Sequence, residues 1–218
     1  MSMLFGDNAA DNYSLSDKGY AFYKLFYNCS NIVNVSSNFL PATTLTSYCY
    51  GYMFYGCTKL TTAPELPATT LANNCYQSMF DCCTSLTTAP ALPATTLANN
   101  CYYYMFYNCT SLTTAPALPA TTLANNCYQY MFRGCTKLTT APELPATTLA
   151  NYCYYYMFYG CTSLNYIKCL ATDISASNCT NNWVNGVSST GTFVKNTAMT
   201  SLPTGASGIP SGWTVQNA

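Results

Sequence analysis

The chain has 218 residues, and its seven basic and seven acidic side chains sum to zero net charge. It therefore lacks the basic footprint of a nucleic-acid binder, and without a single histidine it cannot build a triad or metal site that needs an imidazole. Half of the residues are apolar, yet no apolar run approaches the roughly 20 residues of a membrane span, so no membrane insertion is expected.

The start, MSMLFGDNAADNYS, has neither the basic n-region nor the long apolar h-region of an export signal. Residues 1–24 read as an N-terminal cap. A loose repeat copy, LFYNCSNI from Leu25, then sits two residues out of register with the later units. FLPATTLTSYCYGYMFYGCTKL from Phe39 is in register, and the full unit LTTAPELPATTLANNCYQSMFDCCTS begins at Leu60 and restarts at Leu86, Leu112 and Leu138. Near-identical units at a 26-residue step mark a solenoid. Looser end units are what capping requires. The array is assigned to residues 25–164, with a right-handed path of roughly five turns. Residues 165–218 read as a non-repeating C-terminal cap that buries Trp183 and Trp213 against the last turn.

Each unit carries two local codes, so the fold class is an α/β repeat with short parallel strands and short helices. In LANNCYQSMFDCC the apolar positions Leu71, Cys75, Met79 and Cys83 recur at i, i+4, i+8 and i+12, which predicts a short amphipathic helix with Thr70 as its N-cap. The Thr-rich half suits a parallel strand over Leu60–Ala63. Pro64, Pro90, Pro116 and Pro142 end it, since proline has no N–H to donate. The second series, Pro67, Pro93, Pro119 and Pro145, marks the turn toward the helix.

The fourteen cysteines do not scatter as in a disulfide scaffold. Cys75, Cys101, Cys127 and Cys153 form one series, and Cys57, Cys83, Cys109, Cys135 and Cys161 another. Each recurs once per unit, as core leucines do, and is read as a small buried hydrophobe. Equivalent positions in neighbouring turns would lie about 4.8 Å apart, side by side, which does not favour the roughly 90° torsion of a disulfide. Bonds between the two series stay open. Cys169 and Cys179, outside both, are the pair expected to be bonded.

CYQSMFDCC at residues 75–83 becomes CYYYMFYNC, CYQYMFRGC and CYYYMFYGC in the next three units. The fixed letters are read as facing inward and the drifting ones outward. The outward stripe holds Gly51, Tyr52, Tyr55 and Gly56, then Gln77, Ser78, Asp81 and Cys82, then Tyr103, Tyr104, Tyr107 and Asn108. It continues with Gln129, Tyr130, Arg133 and Gly134, and ends with Tyr155, Tyr156, Tyr159 and Gly160. Neutral drift on an exposed surface would fill such a stripe with Lys and Glu. Tyr with small polar residues is instead the palette of binding loops, where the ring gives rigid contact area. Excluding the glycines, Cys82 and Asn108, these residues are the ligand-binding candidates. Packing of the tyrosines against another copy of the chain is a third reading.

Other chemistry is sparse. Glu65 and Glu143 share one repeat position, but Ala91 and Ala117 separate them. No cysteine has a histidine to serve as base, and no zinc-type Cys-x-x-Cys pairing occurs. The sequons at Asn12, Asn28, Asn34, Asn108 and Asn178 are read as chance in a chain rich in Asn and Thr. No enzyme and no cofactor are expected.

The pattern Met-Phe-x-x-Cys-x-x-Leu, as at Phe80, Cys83 and Leu86, followed by Leu-Pro and Thr-Leu, resembles the BspA-like leucine-rich repeats of bacterial surface proteins over residues 20–166. The tail from Leu164 is similar to the terminal segment of such proteins in gut anaerobes and their phages. The resemblance implies a leucine-rich-repeat solenoid, adhesion and surface recognition, an extracellular place on a bacterial surface or phage virion, and no shared catalytic residues. This unit is about three residues longer than the family's, by an added Ala-Pro segment, which bears on the strand geometry. The resemblance leaves two functions. One is a recognition module for a surface protein or glycan receptor, as an adhesin or a tail-fibre component. The other is a structural protein whose solenoids pack into a larger assembly.

Overall fold

The computed structural model describes residues 14–218. Thirteen residues of the expected cap over 1–24, with Asn12 among them, lie outside the described residues. The chain winds as a parallel solenoid. Thr62, Thr88 and Thr114 form one ladder of parallel bridges from coil to coil, and Thr44, Thr70, Thr96 and Thr122 form a second.

Among the described residues no α-helix forms, which corrects the helical reading of the Cys-rich half. The segment is a run of overlapping turns. In coil 72–83, Cys75, Gln77, Met79, Asp81 and Cys83 each donate an N–H to the carbonyl three residues back. The residues between them donate outward instead. Tyr76, Ser78, Phe80 and Cys82 bond the carbonyls of Cys101, Tyr103, Met105 and Tyr107 in the next coil, at 2.8–3.1 Å. With Asn74 donating to Asn99 at 3.1 Å, every N–H from Asn74 to Cys83 is paired, as burial demands. Every fourth residue turns left-handed: Asn74, Ser78 and Cys82 here, Asn100, Tyr104 and Asn108 in the next coil. In an α-helix at 3.6 residues per turn, i, i+4 and i+8 drift by about 80°. Tandem turns hold a period of four without drift. Thr70, assigned as an N-cap, is a bridge residue of the second ladder.

This backbone stacks identical side chains into columns. Phe54, Phe80, Phe106, Phe132 and Phe158 are fully buried, with successive ring centroids 5.6–5.7 Å apart and planes within 7°. Tyr50, Tyr76, Tyr102, Tyr128 and Tyr154 stack beside them at 5.8–6.2 Å, and Met53 and its equivalents complete the layer. The fixed letters thus do face inward. All fourteen cysteines are free thiols, and the Cys57 series has a specific function. Cys83 Sγ donates to the Phe54 carbonyl at 3.1 Å, and Cys109, Cys135 and Cys161 repeat the bond one coil on each time. The same carbonyl already accepts the Cys57 N–H, so the thiol takes its second lone pair. Alanine could not donate there and leucine would not fit.

The expected strand over Leu60–Ala63 contracts to one bridging residue, Thr62. Strands form fully only where the Ala-Pro segment ends. Lys168 takes the place of proline in the next coil, and there β1 (Tyr166–Cys169) pairs in parallel with β2 (Thr192–Lys195), and β2 with β3 (Thr214–Asn217). The turn run continues once more beyond the last clear unit. Asn178, Asn182 and Gly186 are left-handed, and Tyr154, Tyr156, Phe158 and Gly160 donate to Cys179, Asn181, Trp183 and Asn185. Trp183 closes the ring columns, stacked on Tyr154 at 6.0 Å and tilted on Phe158 at 6.2 Å. Its indole N–H donates to the Gly208 carbonyl at 2.8 Å, and that of Trp213 to Ser188 at 2.7 Å. Both tryptophans are buried. Cys169 and Cys179, expected to be bonded, are both thiols; Cys179 Sγ points to the Ile174 carbonyl at 3.3 Å.

Two outcomes test this backbone. Asn100→Ala would stabilise a helix, but in a left-handed turn position it should destabilise the chain by about 1 kcal/mol, with Asn100→Gly close to neutral; chemical denaturation measures both. Burial holds the thiols of Cys83, Cys109 and Cys135 well above their ordinary pKa. In native buffer at pH 8 an alkylating reagent should therefore label exposed Cys29 rapidly and the columns only after denaturation, as mass spectrometry would count.

Candidate functional site

The turn run decides what projects from the solenoid. Its inward pairs, such as Cys75–Tyr76 and Met79–Phe80, alternate with outward pairs, Gln77–Ser78 and Asp81–Cys82. The sequence candidates therefore lie on one face, in register from coil to coil. They are not fully solvated. Tyr52, Tyr55, Gln77, Tyr103, Tyr104, Tyr107, Gln129, Tyr130, Arg133, Tyr155, Tyr156 and Tyr159 are half-buried, and Ser78 and Asp81 are buried.

Two aromatic clusters occupy the face. In the larger one Tyr104, Tyr130 and Tyr156 stack at 4.4 and 5.3 Å, with Tyr103 and Tyr155 edge-on to Tyr130 at 6.1 and 5.5 Å. The Arg133 guanidinium sits among Tyr107, Tyr130, Tyr156 and Tyr159, 4.6–5.6 Å from their centroids, within cation–π range. Burial pushes the Tyr104 phenol up to about 12 and also raises Tyr130 and Tyr103. The smaller cluster stacks Tyr20 on Tyr48 at 4.8 Å and Tyr27 on Tyr55 at 4.7 Å. Its cation is Lys24, 5.1–5.5 Å from Tyr23, Tyr27 and Tyr52.

Between the clusters the coil 72–83 carries no outward ring. Gln77 Nε2 donates to the Tyr52 hydroxyl at 2.8 Å. Asp81 is 6% exposed, and its Oδ1 makes no hydrogen bond among the described residues. Desolvation pushes its carboxyl up to about 7.

Tyr20, Tyr23, Lys24 and Tyr27 were missed because the first coil steps by two extra residues, and Tyr48 because Asn74, Asn100 and Asn126 take its place in the next three coils. GYAFYKLFYNC matches SYCYGYMFYGC once that offset is allowed. The other charges and the cysteines among the described residues form no cluster that could hold a metal. Glu143 pairs with Lys168 at 3.1 Å on the surface. No helix among the described residues is long and apolar enough to cross a membrane.

A parallel solenoid of stacked units, with one leucine column closing each coil (Leu60, Leu86, Leu112, Leu138 and Leu164, all fully buried), defines a leucine-rich-repeat protein. The BspA type leucine-rich repeat region is matched in six copies, over residues 20–139 and 99–193, and the chain belongs to that family. It is also similar to a leucine-rich repeat protein from Bacteroides ovatus ATCC 8483, at 14% identity and a TM-score of 0.40. That alignment covers 89% of this chain and 56% of the other, so this chain spans little more than half of that protein's length. No curated protein matches the sequence.

Asp81 gives the face a pH signature. Its folded pKa of about 7 lies above the roughly 3.9 of an unfolded aspartate. The fold therefore holds the neutral acid, and stability present below the unfolded value is lost as pH rises through 7. Asp81→Asn should leave stability little changed at pH 4 and raise it at pH 8, by up to about 4 kcal/mol, measured by urea denaturation at the two pH values.

Proposed function

We infer that the chain is a non-enzymatic recognition and adhesion module that engages a cell-surface protein or glycan through its tyrosine face. Its place would be extracellular, on a bacterial surface or a phage virion. One observation carries this reading. Tyr52, Tyr104, Tyr130 and Tyr156 all stand at left-handed positions, with φ between 53° and 59°. That conformation is an outlier for a bulky residue and costs on the order of 1–3 kcal/mol each. The chain has less costly choices and uses them beside these sites, with Asn at 74, 100 and 126 and Gly at 56, 134 and 160. Stacking offsets part of the strain, yet neutral drift would not accumulate tyrosine there. Half-buried rings that keep an exposed edge suit a contact surface, where tyrosine hot spots concentrate binding energy.

The structural alternative has its own support. β3 is the edge of the three-stranded sheet, and all four of its residues are exposed, Val215 at 45%. Such an edge is a template for another strand, so solenoids could associate there.

The combined change of Tyr103, Tyr104, Tyr107, Tyr155, Tyr156 and Tyr159 to Ser separates the two. Binding of the labelled chain to bacterial cells and glycan arrays should fall by at least about a hundredfold, the loss of one or two hot spots. The fold should survive with a lowered melting temperature, whereas Met105→Ser, in the fully buried layer, should unfold the array. Full binding by the tyrosine variant would move recognition off this face. Association that persists until β3 is interrupted by Val215→Pro would identify the assembly role.

A further inference from the structure

The outward positions read as a series through five coils: Tyr52, Ser78, Tyr104, Tyr130 and Tyr156 at one, Tyr55, Asp81, Tyr107, Arg133 and Tyr159 at the other. Each aromatic cluster on this face already contains its own cation. Arg133 sits among four rings and Lys24 among three. The coil between them reverses the chemistry. It places a serine where the rings stack and a carboxylate where the guanidinium sits, with tyrosines one coil away on either side. The Cys82 thiol bonds the Asp81 carboxyl group, yet Oδ1 is buried and makes no hydrogen bond among the described residues. A buried polar atom of this kind normally has a partner.

We propose that Asp81, set in the coil without outward rings and flanked by Tyr52 and Tyr55 of the coil before and Tyr104 and Tyr107 of the coil after, binds a basic side chain, Lys or Arg, of a partner protein. The partner's ammonium or guanidinium group pairs with Oδ1 while the rings face it, as the rings around Arg133 face their own cation. The hydrogen bond from Gln77 holds Tyr52 in place. Half-buried Tyr55 and Tyr107 can part on the timescale of surface rotamer exchange. A neutral sugar hydroxyl could also donate to Oδ1, but a desolvated carboxylate gains most from a charged donor. This proposal rests on the tyrosine face being the recognition face, and it commits that face to a protein ligand.

The test titrates the intact chain with N-acetyl-lysine methylamide and N-acetyl-arginine methylamide, following the amide resonances of Ser78, Asp81, Cys82 and Tyr107. The uncharged comparisons are N-acetyl-norleucine methylamide and methyl mannoside. The charged probes should give saturable shifts, and Asp81→Asn should weaken them about tenfold, the loss of one charge-assisted contact. Glu65→Gln, an exposed carboxylate outside the turn run, should leave them unchanged. Affinity should also drop between pH 8 and pH 5.5, as Asp81 protonates around 7. The titratable groups that face it are Tyr55, Cys82, Cys83 and Cys109. All four are held above their ordinary values, Cys82 up to about 11. The proposal is overturned if the charged probes do not saturate, if norleucine or mannoside binds as well, or if Asp81→Asn binds them equally. Probe failure alongside lost cell binding in the serine variant would remove the cation site and leave the face; intact cell binding in that variant would remove the face itself.

Discussion

The structure depends on how the turn run divides its backbone hydrogen bonds. One N–H closes a turn within the coil, the next reaches to the following coil, and the alternation continues for about a dozen residues. A helix would keep every bond inside the segment and a strand would send its bonds to its neighbours. This segment does both, so each coil is held locally and by its neighbour at once. The requirement is one left-handed residue in four, and the chain meets it at about half of the positions with Asn and Gly, which tolerate that region, and at about a third with Tyr.

A strict four-residue period places each side chain type in a column along the solenoid. Columns of one residue type are tolerable only when that residue packs well on itself at the coil spacing. Phenylalanine and tyrosine do, as offset parallel rings. Cysteine does for another reason. It is small enough for the crowded inner turn, and its thiol can reach back to a carbonyl of the preceding coil. The arrangement also explains why the Cys57 series forms no disulfide: its thiols point to carbonyls rather than to each other. Where the sequence of the repeat fades, Trp183 supplies in one side chain the aromatic surface that Tyr154 and Phe158 need on their open side.

The outward face inherits the same geometry. Side chains there stand in register whether or not they have a shared role, so tyrosines from different coils meet as stacks, and a single change of residue alters a whole layer. The replacement of rings by Ser78 and Asp81 in one coil is such a change. It separates two aromatic clusters that would otherwise run together, and it buries a carboxylate at the expense of stability near neutral pH. Natural proteins retain costs of this kind at functional positions.

The 26-residue step, the inward identity of the Cys, Tyr, Met and Phe letters, the family, and the strand-breaking effect of the Pro64 series were all legible in the sequence, because each shows as repetition or as the chemistry of one residue. The spacing at i, i+4 and i+8 was legible too, but it fits a helix and a chain of turns alike over two turns. The discriminating signal, Asn or Gly recurring at every fourth position, was blurred by the tyrosines that take the same sites. What only the tertiary structure decided was where the hydrogen bonds go. An N–H that bonds a residue 25 positions later leaves no trace in local pattern. For the same reason the pairing of Arg133 with four rings, the thiol bonds to phenylalanine carbonyls and the buried state of Asp81 all waited on coils being laid side by side. Apart from Tyr130, which precedes Arg133 by three residues, the groups that meet there lie about a repeat apart, beyond the reach of any local window.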